Sequence, residues 1–391
     1  MKGKALWAAA IVFSLPAFLY PIYNPDLFWH LSAGRWIFAH GGLPRADWLS
    51  FTMPGAPWKD FEWLAQVLFE AAFRAGGFTA LWLLKGALLA ATWAALDAAL
   101  KARWAQAPQR ALGLVLWSTA ALMHADIRPE LFSLFFFAAA LAYLESLAAG
   151  RIRLTWPGLV LAACVFAVWA DLHLGFLFAF GLVAVYAAAF TWQRRWGLAA
   201  DCAKLSGAGV LGSLLNPYGA GPYEVALSHW RASAELSRAI AEWQPLSVDR
   251  PGFWVFWLVA ALAAGFTAAE LKRRDAQAPW AAAAAALGLA CAATVHSRAA
   301  FYCSIPAVFV ACVGARRRGV WGRRVLCAAA AACAAYAVWL APRMHWTRLF
   351  NERFVPRAAA EFLAGEREVV EPLRAYNPWE WGGYLDRKSV V

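Results

Sequence analysis

Long apolar windows separated by short polar stretches set the rhythm of the chain. Between residues 5 and about 340, windows of roughly 20 apolar residues, the length an α-helix needs to cross a hydrocarbon core, recur about eleven times. The first, residues 5–23, follows Lys2 and Lys4 and runs through Pro21 and Pro25 into a patterned segment with no small-residue cleavage site. It is expected to be a retained span rather than a signal peptide. The rhythm breaks over residues 24–77, where apolar positions recur at helical spacing on one side only. Asn24 as N-cap, with Pro25 at the first helical position, predicts a helix to about His40. On it Asp26, His30 and Gly34 share one face, while Leu27, Leu31, Trp36 and Ile37 offer apolar surface. After the break Gly41-Gly42-Leu43-Pro44, a second amphipathic helix is expected over about 60–74, and both should lie in the membrane interface, where Trp48, Trp58 and Trp63 suit headgroup level. No fixed-period repeat occurs; alanine runs such as residues 281–286 are helix-packing surface. The pattern predicts an all-α polytopic membrane protein of about eleven transmembrane helices. Its transmembrane part is residues 1–341, with a short extracytoplasmic segment at 342–391.

Composition agrees: 62% apolar, 15% aromatic and 15% charged over 391 residues excludes a soluble multidomain enzyme. The net charge of +12 matters through its placement. Basic residues cluster in alternate short loops, as in Lys101, Arg103 and Arg110, Arg151 and Arg153, Arg194 and Arg195, and Arg316 to Arg318. This is the positive-inside pattern, which puts the N-terminus in the cytoplasm, makes anionic headgroups the natural partner and argues against nucleic acid. Seven cysteines occur with no CxxC pair, and the five inside apolar windows, Cys164, Cys291, Cys303, Cys312 and Cys333, are expected to be buried thiols.

Every outer stretch then carries unusual polar residues, whereas the inner loops are short, basic and bland. A charge held against hydrocarbon costs several kcal/mol, so a one-sided ionisable cluster points to a functional site. Asp26, just after the first span, is the sharpest candidate, as a base for a hydroxyl proton or as a helix-capping acid. His30, one turn later, is placed to orient it or to donate to a phosphate. Asp47 and Glu62 are candidates for a second acid, with Asp60 a further acid in the same loop. Arg128 and Arg298 sit on outer turns where arginines are uncommon, and the guanidinium group suits bidentate phosphate recognition. For Arg128 a local pair with Asp126 or Glu130 is the alternative. Asp171 and His173 lie near the outer membrane plane, and His296 adjoins Arg298. The spacing of His124, His173 and His296 fits no zinc motif; a divalent metal is conceivable but not favoured.

An acid after the first span, two outer amphipathic helices and a bundle with short outer turns resemble the GT-C superfamily of integral membrane glycosyltransferases, which includes protein O-mannosyltransferases and lipid A aminoarabinose transferases. The strings PDLFWHLSAGRWIFAHGGLPRADWLSFT, EWLAQVLFEAAFRAGG, RPELFSLFFF, HLGFLFAFGL, LLNPYG, EWQP and NPWEWGGYL look more closely like a bacterial group of GT-C-like membrane proteins, over nearly the whole chain. The resemblance implies a multi-pass protein of the bacterial inner membrane. It implies transfer of a sugar from a polyprenyl-phosphate lipid to an acceptor, itself a lipid, glycan or protein, on the extracytoplasmic face. It also implies that Asp26 is the catalytic base and that Arg128 and Arg298 hold the donor phosphate; from their placement, His30 is a candidate to assist Asp26 by hydrogen bonding, and His173 and His296 are further candidates for the donor site. Two departures stand out. Many superfamily members show adjacent acids where this chain has Asp26-Leu27, which puts a metal-dependent version in doubt. Relatives also tend to continue past WGGYL into a larger soluble domain, whereas the sequence here runs to Asp386-Arg387-Lys388-Ser389-Val390-Val391.

A lipid-headgroup transporter or flippase is the alternative reading, and an assembly subunit without chemistry is another. Transport favours polar residues at mid-membrane or paired broken helices, whereas the spans of this chain are nearly free of charge at their centres, with Lys85 and Asp97 the exceptions in one span.

Overall fold

Backbone amides in hydrocarbon must bond within their own segment, which leaves helices as the economical answer to long apolar windows. The computed structural model describes residues 2–50, 52–122, 125–246, 252–273, 278–344, 356–366 and 379–387, and these form helices with no strand, apart from one isolated bridge between Ala46 and Pro57. The helices are α1 (Lys2–Leu19), α2 (Asp26–His40), α3 (Trp63–Ala102), α4 (Ala107–Ala121), α5 (Glu130–Ala148), α6 (Trp156–Leu172), α7 (Phe176–Trp192) and α8 (Trp196–Ser213). There follow α9 (Gly221–Arg231), α10 (Ser233–Ala239), a 3-10 turn at Ala241–Trp243, α11 (Phe253–Arg273), α12 (Trp280–Ala293), α13 (Ala299–Arg317), α14 (Gly319–Leu340), α15 (Arg357–Gly365) and α16 (Trp379–Arg387).

Five helices are long and apolar enough to cross a membrane by length and composition: α3, α5, α11, α13 and the α14 segment. Four more, α1, α6, α7 and α12, are apolar but shorter by that measure, so among the described residues five full-length and four shorter apolar helices stand against the expected count of about eleven. Large apolar side chains such as Leu161 and Leu211 face outward on α6 and α8, as they would toward lipid. At the opposite extreme, every residue from Ala299 to Ala315 of α13 is buried, which makes this helix the centre of the bundle.

The two ends of the bundle differ. At one, Arg151 donates to the carbonyls of Lys101 and Ala102, Arg195 to Ala148 and Arg316 to Arg103. Exposed Trp104, Trp156, Trp192, Trp196 and Trp321 lie among these arginines, the arrangement of an interfacial aromatic belt. This is the basic end. The two charges noted inside α3 are structurally engaged: buried Lys85 donates to the Tyr20 carbonyl, and Asp97 pairs with Arg110 and Lys101. All seven cysteines are free, and Cys202, Cys303, Cys312 and Cys333 are buried. Cys164 and Cys291, expected inside, are exposed because they fall on the outward faces of α6 and α12.

At the other end, α2 begins where expected, with the Asp26 amide donating to Asn24 Oδ1 at 2.9 Å. It stops at Gly41, whose left-handed φ of 63° returns its amide to the Ile37 carbonyl. The second amphipathic helix is the first part of α3: it enters at Trp63 and joins the membrane part through a kink at Gly76 and Gly77. Gly77 adopts φ 57°, ψ −145°, a conformation essentially closed to other residues. A Cβ on Gly34 would lie 2.4 Å from the Gln66 carbonyl oxygen, so glycine is what lets α2 lie directly on the first part of α3. That contact buries Leu27, Phe28 and Leu31 with Phe69, Leu81, Ile127 and Phe132. Within the C-terminal segment, α16 packs on the same helix, with Tyr384 edge-on to Phe28 and Asp386 paired to Arg35 at 3.2 Å.

Candidate functional site

The turn before α5 is fixed by a buried carboxylate. Asp126 accepts from the Tyr23 amide at 3.1 Å and the Ile127 amide at 2.7 Å, fastening the turn to the strand of chain that leads into α2. Burial raises Asp126 to about 6, against the opposing pull of Lys85, these amides and Arg128. With both backbones so held, Arg128 meets Asp26 at 2.7 Å. Its other terminal nitrogen pairs with Glu242. The second Glu242 oxygen pairs with Arg298 at 2.8 Å.

Four charges from four distant stretches thus alternate in one line: Asp26, Arg128, Glu242, Arg298. Their side chains keep 20–35% of their surface exposed, so a ligand can reach them. Glu242 is on the 3-10 turn, which is zipped onto the turn before α13: the Ser297 amide donates to the Gln244 carbonyl at 2.9 Å and the Arg298 amide to the Glu242 carbonyl at 3.2 Å. The Nε of Arg298 is buried and has no hydrogen-bond partner among the described residues.

Beside this line lies Glu62, the residue preceding α3. One of its oxygens is 3.7 Å from His173 Nε2 and the other 4.0 Å from His30 Nδ1. Burial pushes Glu62 up to about 8, because the opposing pull of Arg298 and Arg128 is weaker and Asp60 and Glu130 add to the rise. Burial also drives His30 down to about 4, with Asp26 opposing and Arg128 reinforcing, and takes His173 well below its ordinary range, where Arg298 and His30 reinforce it. At neutral pH Glu62 therefore carries a proton and both imidazoles are neutral. His173 Nδ1 accepts the Gly175 amide at 2.9 Å and lies 2.9 Å from Ser133 Oγ, which in turn accepts from Trp169 Nε1. An accepting Nδ1 puts the proton on Nε2, facing Glu62.

Asp26, His30, Arg128, Arg298, His173 and Glu62 are therefore brought together. Asp47 is not: its carboxylate closes a turn, accepting from the Leu49 amide, the Ser50 amide and Ser50 Oγ at 2.7–2.9 Å. His296 adjoins the line only as a fastener, its Nδ1 2.9 Å from the Trp243 carbonyl. Asp60 and Asp171 serve the entry of α3, bonded to Gln66 and Trp63 respectively. The local pairing weighed for Arg128 does not form; Asp126 and Glu130 leave it to Asp26 and Glu242. Glu242 is the residue that sequence reasoning missed. Its signal is the acid of EWQP, on the same expected side as two arginines that need a counter-charge. His124 lies outside the described residues, and among those described no group of three or more His, Cys, Asp and Glu is arranged to hold a metal ion. The Asp26 and Glu242 carboxylates are turned to guanidinium groups instead.

An apolar hollow of about 330 Å³ opens between α5, α7 and α12, lined by Phe137, Leu177, Phe178, Leu182, Val185 and Leu289 among others. Phe178, which lines the hollow, stacks on Tyr302 at 4.1 Å, one turn into α13 from Arg298.

No protein-family model and no curated protein matches the sequence. Among solved structures, the fold is similar to the oligosaccharyltransferase of Archaeoglobus fulgidus in its apo form, with a TM-score of 0.57 and 12% sequence identity. The match covers 99% of this chain and 64% of that protein. At that identity the likeness is one of fold alone.

Proposed function

We propose that the protein transfers a sugar from a polyprenyl-phosphate donor to an acceptor hydroxyl on the extracytoplasmic face, with inversion at the anomeric carbon. The observation that carries this reading is Arg128, whose guanidinium joins Asp26 to a second cation, Arg298, through Glu242. A base and two phosphate-binding cations lie side by side in a partly exposed line. Asp26 takes the proton of the acceptor hydroxyl as its oxygen attacks the anomeric carbon. The bond from that carbon to the phosphate oxygen breaks, and the electron pair leaves with the lipid phosphate. Charge grows on the phosphate as the bond breaks, so fixed guanidinium groups stabilise the transition state more than the ground state.

Neutral His30 and His173 and the protonated carboxyl of Glu62 supply hydrogen bonds to the sugar and acceptor. The apolar hollow beside Tyr302 suits the first isoprene units of the lipid. The fold likeness to an oligosaccharyltransferase supports a glycosyl-transfer reading over headgroup transport, and Lys85, bonded to the Tyr20 carbonyl, and Asp97, paired with Arg110 and Lys101, are both engaged inside α3. Purified protein in liposomes with labelled polyprenyl-phosphate sugars and candidate acceptors provides the test. Asp26→Asn should lower transfer by about 100-fold or more, the usual worth of a general base; equal transfer by both proteins would sink the role of Asp26.

A further inference from the structure

We propose that Glu242 is a built-in stand-in for the donor phosphate: its carboxylate occupies the anion site between Arg128 and Arg298 and is exchanged for the phosphodiester when the lipid donor binds. This rests on the reading of the two arginines as phosphate-binding groups and goes beyond it, because it assigns the site an internal competitor and a preferred ligand charge.

The geometry is that of a two-oxygen anion. One Glu242 oxygen meets Arg128 and the other meets Arg298 at 2.8 Å. A phosphodiester also presents two non-bridging oxygens and a single negative charge, so it can take the place of the carboxylate oxygen for oxygen. With Glu242 in place the line holds two acids and two guanidinium groups. A donor added beside it would bring a negative charge next to Asp26 and Glu242 while both guanidinium groups of the line are already engaged, whereas a donor that displaces Glu242 leaves the balance of the line unchanged. The Arg298 Nε, buried without a partner among the described residues, is a further donor for the larger phosphate.

The exchange needs only a side-chain rotation. The turn carrying Glu242 is held by its main chain, through the Gln244 and Glu242 carbonyls and the Trp243–His296 contact, none of which uses the carboxylate. After transfer the departing lipid phosphate carries more negative charge than the diester, and the returning carboxylate competes with it for the same two guanidinium groups, which favours release. A site occupied by its own carboxylate is competent only for the fraction of time the carboxylate is away, so its apparent affinity is lowered by that fraction.

Binding alone tests this, without turnover. The probe is the methyl diester of a polyprenyl phosphate, with the uncharged polyprenol as control, titrated into the full chain in nanodiscs and read by native mass spectrometry. Glu242→Gln should bind the diester about five- to tenfold more tightly than wild type, as expected when a competing ion pair in a partly exposed site is removed. Glu242→Ala should do the same, Glu242→Asp should stay near wild type, and polyprenol should bind all forms alike. Binding equal to or weaker than wild type in both Gln and Ala variants, with folding confirmed by thermal melting, overturns the proposal while leaving the arginines as phosphate ligands. No selective binding of the diester by any form, or binding unaffected by Arg128→Gln and Arg298→Gln, overturns the phosphate reading and this inference with it.

Discussion

Glu62 shows how a single residue's surroundings can set its chemistry. Its folded-state value of about 8 lies above the ordinary 4.5, so the folded chain holds this proton more tightly than the unfolded chain does. The stability linked to Glu62 is therefore full below about pH 4.5 and is lost as pH rises through about 8. His30 has the opposite sign: with its value lowered from 6.5 to about 4, it costs stability as pH falls through that window. Glu62→Gln keeps a neutral side chain at all pH, and melting curves across both windows should show the wild-type midpoint falling on the alkaline side while the variant's stays nearly level. Parallel curves would show that Glu62 is not the group that titrates. At this scale Asp26, Arg128 and Arg298 were legible in the sequence because each breaks a rule for its place beside a membrane. Glu242 was not, because its partners are 114 and 56 positions away (242 − 128 and 298 − 242) and no spacing rule links them. Asp47 misled for the converse reason: an acid that closes its own turn looks, in sequence, like any other loop acid.

The elements that hold the site are two helices pressed together by a missing side chain. Gly34 shares one face of α2 with Asp26 and His30, yet its role is contact: a Cβ there would lie 2.4 Å from the Gln66 carbonyl oxygen on α3. Backbone cannot yield as a flexible side chain can, so Gly34→Ala should force α2 off α3 at a cost of about 1–3 kcal/mol, as overpacking does. Because Asp26 begins the same helix, this variant should lose transfer activity together with thermal stability. An alanine variant as stable and active as wild type would refute the close contact. The join between the interfacial and membrane parts of α3 was harder to read. Gly76-Gly77 looks like the end of a helix, and in φ and ψ it is, but the two parts continue as one kinked rod. Gly77→Ala places a Cβ in a conformation that costs on the order of 1–3 kcal/mol, and should lower the melting midpoint with no change in the residues that touch the charged line.

For the whole molecule, hydropathy was the strongest text: the apolar windows became helices, and the basic loops, tryptophan belt and buried α13 follow from one bundle in one slab of hydrocarbon. Exact spans were less legible, because an apolar window fixes roughly where a helix runs and not whether it reaches both faces. Sidedness gives a prediction at this scale. In a background with the exposed Cys164, Cys291 and Cys327 replaced by serine, Met53→Cys at the site end should react with a membrane-impermeant maleimide in right-side-out vesicles, while Arg153→Cys at the basic end should not. The reverse labelling would put the charged line in the cytoplasm and remove the extracytoplasmic donor.

The convergence of Asp26, Arg128 and Arg298 on one phosphate is tested most directly by a cryo-electron microscopy structure of the full chain with a bound polyprenyl phosphate. The expected result has the phosphate between the Arg128 and Arg298 guanidinium groups, within hydrogen-bond reach of both and beside Asp26, with the lipid running toward Tyr302. A phosphate bound elsewhere on the molecule, with the Asp26–Arg128–Glu242–Arg298 line undisturbed, would contradict it.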